Sequence, residues 1–93
     1  MSNSTEQLDE IDRIVETLGS ALDEVEVLLR KGEHGDEYTS DTLLHCQEMA
    51  ELLDRAVGQL DDSAESLALR QGAGTMRGRL AMLEREHKRL GLH

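Results

Sequence analysis

The sequence predicts an all-α chain, a long antiparallel helical hairpin followed by a short C-terminal third helix, in one domain spanning residues 1–93. Three observations carry that reading. Proline, Phe and Trp are absent and Tyr38 is the only aromatic, whereas a β-rich domain draws on aromatic and β-branched residues and on Gly/Pro turns. Apolar residues recur at alternating intervals of three and four, the period of a helix packed along one seam. Turn-forming residues punctuate those periodic runs.

The first helix is expected over residues 5–31. Leu8, Ile11, Val15, Leu18, Leu22, Val25 and Leu29 form its seam. Ile14, Ala21 and Leu28 flank that seam every seven residues and widen it to the stripe of a packed bundle helix. Ser4 and Gln7 have capping-box spacing. Arg30 and Lys31 sit where the negative end of the helix dipole falls, and Gly32 suits the left-handed residue that ends a helix.

The polar stretch from Gly32 to Ser40 reads as a loop, with Thr39 or Ser40 capping a second helix over residues 40–70. The second seam runs Leu43, Cys46, Ala50, Leu53, Val57, Leu60, Ala64 and Leu67, flanked by Met49 and Ala56. Its small Ala and Cys positions face larger residues on the first helix, which lets the two approach closely as antiparallel neighbours. Gln71-Gly-Ala-Gly74 reads as a break. Thr75 then caps a short basic helix over residues 75–90 that carries Met76, Leu80, Leu83, His87 and Leu90 and ends at Gly91.

Charge divides the chain unevenly. Residues 1–69 hold 18 acidic side chains against Arg13, Arg30, Lys31 and Arg55, a balance of −14. The remainder is +4, and the whole chain −10. Three readings fit: the basic segment docks on the acidic body, each meets a different partner, or the charges form a solvated surface with some clustering. An acidic excess also fits a salt-adapted source. A balance of −10 disfavours direct binding of a phosphate backbone. No run approaches the roughly 18 apolar residues of a membrane span, and the N-terminus lacks the basic and apolar parts of a signal peptide. Cys46 is alone, so no internal disulfide forms and a reducing, cytoplasmic setting is expected.

Catalytic and metal chemistry find little support. Glu84 and His87 make a single Glu-x-x-His, whereas di-iron bundles use two such units plus further glutamates. Glu48 and Glu51, continued by Asp54, resemble half of a magnesium site, but Asp61, Asp62 and Glu65 are expected further along the same helix rather than facing them. Cys46 holds a seam position, which favours a buried, inert thiol. His34 falls in the loop, His93 at the terminus, and His45 away from the seam. No phosphate-binding Gly-rich loop or Ser-centred elbow is present. The expectation is a non-enzymatic protein with no catalytic residue, cofactor or metal.

The leftover apolar surface suggests binding instead. The rows Ile14, Ala21, Leu28 and Met49, Ala56 make a second apolar edge, and Val27, Leu44, Leu52 and Leu69 project from outward positions. The third helix, a second copy or a different helical protein could cover this surface.

Leu18-Gly-Ser-Ala-Leu22, then Glu24, Leu29, Lys31 and Gly32, and Tyr38 before a second amphipathic helix, resemble the small E-type co-chaperones of type III secretion needle subunits. The resemblance covers roughly residues 18–60, and the first half of helix one and the basic tail have no counterpart in it. It implies a cytosolic heterodimer with a helical-repeat chaperone, the pair holding an aggregation-prone needle subunit until export. Ile14, Leu28, Met49 and Leu52 are the expected partner-contact positions, because they lie beside or outside the hairpin seam. Two other readings stand beside this one. Two hairpins could pair into a homodimeric four-helix bundle through the Ile14, Leu28 and Met49 edge, or the acidic body could mimic nucleic acid and occupy a protein that binds it.

Overall fold

The structure, a computed structural model, describes residues 3–32 and 37–91. These residues form three helices and no strand: α1 (Thr5–Arg30), α2 (Glu37–Gly58) and α3 (Ala64–Gly91). Each helix packs against both others, in a rod measuring 52 × 18 × 16 Å.

In α1 the local signals agree with one another. The Gln7 amide donates to Ser4 Oγ at 3.1 Å, and the Ser4 amide donates to Gln7 Oε1 at 2.9 Å. These bonds satisfy two of the amides that a helix start leaves without partners. At the other end the Lys31 amide reaches the Val27 carbonyl and the Gly32 amide that of Leu29, each at 3.1 Å. Gly32 closes the helix at φ +78°, a conformation that costs glycine nothing and other residues a clash. Between these ends Ile11, Leu18, Leu22 and Val25 are fully buried.

The expected loop is only partly described, since residues 33–36 lie outside the described residues. Glu37 to Ser40 are already helical, and Thr39, expected as a cap, is buried in the first turn of α2.

The main departure from the sequence reading is the boundary between α2 and α3. A second helix over 40–70 and a short third over 75–90 were expected, but α2 stops at Gly58 and α3, with 28 residues, is the longest helix. The turn is built from side-chain chemistry. Ser63 caps α3 by accepting the Ser66 amide at 3.2 Å, and Asp61 accepts the Ser63 amide at 3.0 Å. Asn3 ties this turn to the start of α1: its side-chain oxygen accepts the Asp61 amide at 2.9 Å, and its amide nitrogen donates to Ser66 Oγ at 2.9 Å. Arg70 reaches back from α3 and donates to the carbonyls of Val57 (3.2 Å) and Leu60 (2.9 Å), the former also accepting the Leu60 amide at 3.3 Å.

Gln71-Gly-Ala-Gly74 does not interrupt α3. Thr75 is no cap. It sits mid-helix, its hydroxyl donating to the Gln71 carbonyl one turn back at 3.1 Å. The seam that holds α3 runs Ser66, Leu69, Ala73, Met76, Leu80, Leu83, His87 and Leu90, unbroken through the glycines. Ser66, Ala73 and Leu80 are buried, and Leu69, Met76, Leu83 and Leu90 pack partly buried against the core. That sustained apolar face outweighs the weak helix propensity of the glycines.

Candidate partner-binding surface

The basic segment docks on the acidic helices. Arg79 Nη2 lies 2.5 Å from Asp23 Oδ1 and 2.8 Å from Glu26 Oε2 on α1. Arg77 pairs with Asp54 of α2 at 2.7 Å, and Gln47 of α2 donates to Glu84 of α3 at 3.1 Å. Arg77 and Arg79 are therefore met by carboxylates within the chain, and the two partners of Arg79 hold its guanidinium above the ordinary arginine range through hydrogen bonds first and charge second.

The four sequence-derived contact positions separate. Ile14 and Leu28 are each only 9% exposed, and Met49 is half-buried against the core. At 100° per residue the row Ile14, Ala21, Leu28 lies on the far side of α1 from Gly19, Asp23 and Glu26. Since Gly19 lies against Met76, and Asp23 and Glu26 meet Arg79, α3 occupies the latter side and α2 closes the former. The apolar edge expected to stay open for a partner, or for a second hairpin, is sealed along α1. Leu52 alone of the four stands free, 44% exposed.

Leu52 has a neighbour of the same kind. Leu44, two turns earlier on α2, is 53% exposed, and Glu48, between them, is exposed as well. Beside this strip a groove runs between α2 and α3, with Ala50, Gly78 and Ala81 as small lining residues and Glu51 and Glu84 among its polar ones. The Arg77–Asp54 and Gln47–Glu84 bridges cross the same helix pair. Such a surface can take a partner's apolar side chain beside acidic groups; it does not converge polar groups on one reacting atom.

The residues weighed for chemistry are dispersed. Asp61 and Asp62 lie in the turn between α2 and α3, not on the helix of Glu48 and Glu51, and Glu65 belongs to α3. The hydroxyls of Ser63 and Ser66 and the Ser63 amide hold the Asp61 carboxyl down to about 2. Glu51 pairs with Arg55 at 3.7 Å. Glu84 is engaged by Gln47, and beside it His87 Nε2 is buried without a hydrogen-bond partner among the described residues. Cys46 is fully buried, and that desolvation pushes its thiol up to about 11. Tyr38 is exposed and its hydroxyl donates to Glu24, which raises its pKa by that bond and by the carboxylate charge. His45 is exposed, and His34 and His93 lie outside the described residues. Among the described residues no group of three or more His, Cys, Asp or Glu side chains is placed to hold a metal ion, and no helix is long and apolar enough to cross a membrane.

Sequence reasoning found Leu44 and Leu52 as outward positions and missed Met82 and Leu67. The spacing through Leu60 and Ala64 puts Leu67 in the seam of a continuous second helix; it stands exposed because the chain turns at residues 59–63. Set against family models, curated proteins and solved structures, the chain finds no significant match in any of the three.

Proposed function

We propose that this chain is a small acidic helical protein-binding module, a co-chaperone or adaptor that holds a basic, helical partner, without catalytic activity or cofactor. In this reading α1 and α2 form an antiparallel hairpin that α3 braces, and α2 presents the binding strip. The observation that supports it best is the pair Leu44 and Leu52, two exposed leucines eight residues apart on one helix and flanked by Glu48 and Glu51. An amphipathic helix docks through apolar anchors at such spacing, and basic residues beside its apolar stripe would meet these carboxylates, which governs encounter rate and selectivity more than affinity. The resemblance of residues 18–60 to needle-subunit co-chaperones supports the same reading, with a cytoplasmic setting as part of the proposal.

The test is a comparison of the wild-type chain with L44E/L52E. Both positions are exposed, so the fold should survive. Titration with a synthetic basic amphipathic helix should give saturable binding to wild type, at least tenfold weaker binding to the double variant, and none for a peptide of reversed charge. Equal binding of all three pairs would overturn the assignment. Mass spectrometry of proteins retained by wild type and lost by L44E/L52E would then name the partner.

A further inference from the structure

We propose that the outer face of α3 pairs with the same face of a second copy of this chain, antiparallel across a two-fold axis near Gly74 and Thr75. The inference rests on Leu67 and Met82 rather than on the α2 strip, and shares only Gly78 with the groove beside that strip. Leu67 is 56% and Met82 65% exposed, the two most exposed large apolar residues among those described. At 100° per residue Leu67, Gly74, Gly78 and Met82 fall within one wedge of α3, opposite the buried Ser66, Ala73 and Leu80. Leu67 and Met82 are 15 residues apart, roughly 22 Å along the helix at about 1.5 Å per residue, and the midpoint lies between Gly74 and Thr75. An axis there seats Leu67 of each copy on Met82 of the other. That is the self-complementarity an isologous contact requires.

Charge selects the orientation and the occupant. Arg85 and Arg89 stand on this face at the C-terminal end of α3, whereas exposed Asp62 lies just before its start and exposed Asp9 and Asp12 stand at the matching end of α1. Antiparallel pairing lays the basic end of one copy over the acidic end of the other. Parallel pairing would set Arg85 against Arg85, a like-charge contact that disfavours it. The glycines fit the same picture. A Cβ added at Gly74 or Gly78 would meet nothing within 4 Å, and neither has positive φ, so packing within the single chain gives no reason to keep two residues that weaken a helix. Close approach of another helix backbone gives one.

Sedimentation equilibrium across concentrations from about 5 to 500 µM should show a monomer–dimer equilibrium of micromolar affinity. Mixing L67C with M82C under mild oxidation should give the mixed disulfide in at least tenfold excess over either symmetric one, with the buried Cys46 unreactive. G78L should raise thermal stability, since it removes a mid-helix glycine into open space, while weakening dimerisation at least tenfold. R85E/R89E should weaken it as well, and added salt should weaken the wild-type dimer. The proposal is overturned by a chain that stays monomeric throughout, by symmetric disulfides that predominate, by a G78L that dimerises like wild type, or by Leu67 and Met82 becoming protected only when a different protein is bound.

Discussion

Arg79 of α3 donates to Glu26 of α1 at 2.8 Å across the helix interface, and the same guanidinium nitrogen reaches Asp23 at 2.5 Å. One basic side chain thus fastens the C-terminal helix to the acidic first helix at two carboxylates. Its side chain is 38% exposed, so solvent screens the attraction. R79A should cost about 0.5–1 kcal/mol of stability, measured by urea unfolding, and the difference from wild type should shrink in about 0.5 M salt, where the Debye length falls to a few ångströms. A deficit that salt leaves unchanged would assign the role of Arg79 to packing rather than charge.

The turn at residues 59–63 makes a pH prediction. Asp61 titrates near 2 in the folded chain because Ser63 and Ser66 donate to its charged form, whereas an unfolded aspartate titrates near about 3.9. A carboxyl depressed on folding contributes stability that is present above its unfolded pKa and disappears as pH falls through its folded one. Wild type should therefore lose stability progressively from about pH 4 down to about pH 2. D61N should be less stable than wild type at pH 7 and should lose less over that acid interval. Parallel acid curves for the two proteins would show that the Asp61 network contributes nothing.

The same turn explains which parts of the fold were legible. In α1, seam, capping box and closing glycine all agree, and the helix follows from the residues alone. Between α2 and α3 the spacing Leu53, Val57, Leu60, Ala64, Leu67 continues numerically through a reversal of the chain, so periodicity alone extends the helix past its end. The bonds that decide the matter join Asn3 to Asp61 and Arg70 to Val57 and Leu60; such long-range pairs leave no periodic trace. Asp61-Asp62-Ser63 was nonetheless a readable cap signal. The site departs for a different reason. Ile14 and Leu28 flank the seam and look open to a partner when only one narrow contact row between α1 and α2 is counted. Packing of α2 on α1 buries both, and of the four expected positions Leu52 alone stays exposed, with Leu44 beside it on α2.

His87 offers a gain in stability. Its Nε2 is buried with no hydrogen-bond partner among the described residues, and a buried polar atom left unmet costs about 1–3 kcal/mol. It occupies the α3 seam between Leu83 and Leu90, both partly buried. H87L keeps similar bulk and removes the unmet nitrogen. The variant should be more stable by about 1 kcal/mol in urea unfolding, and a loss of stability would mean that the imidazole has a partner the substitution removes.

Two glycines should respond in opposite directions to the same substitution. Gly72 lies inside α3 with open space where a Cβ would go, so G72A should stabilise by about 0.5–1 kcal/mol through helix propensity and a less free unfolded chain. Gly32 also faces open space, but at φ +78°, where a side chain strains the backbone. G32A should destabilise by about 1 kcal/mol. Thermal melts of the two variants check this directly, and a shared sign would contradict the assigned backbone roles.

Cys46 provides a reporter of opening. Burial pushes its thiol up to about 11, whereas an unfolded cysteine titrates near about 8.5. Here the sign is opposite to that of Asp61: the protonated thiol is favoured in the folded chain, so its contribution is complete below the unfolded pKa and is lost as pH rises from about 8.5 towards 11. At neutral pH the buried thiol should react with an aromatic disulfide only through opening of the core, at a rate that rises with urea in step with unfolding. C46A should retain the fold at a cost of about 1 kcal/mol for the small cavity and should decline less steeply than wild type at alkaline pH. Rapid labelling of the native protein at pH 7, independent of urea, would place Cys46 outside the core that α1 and α2 share.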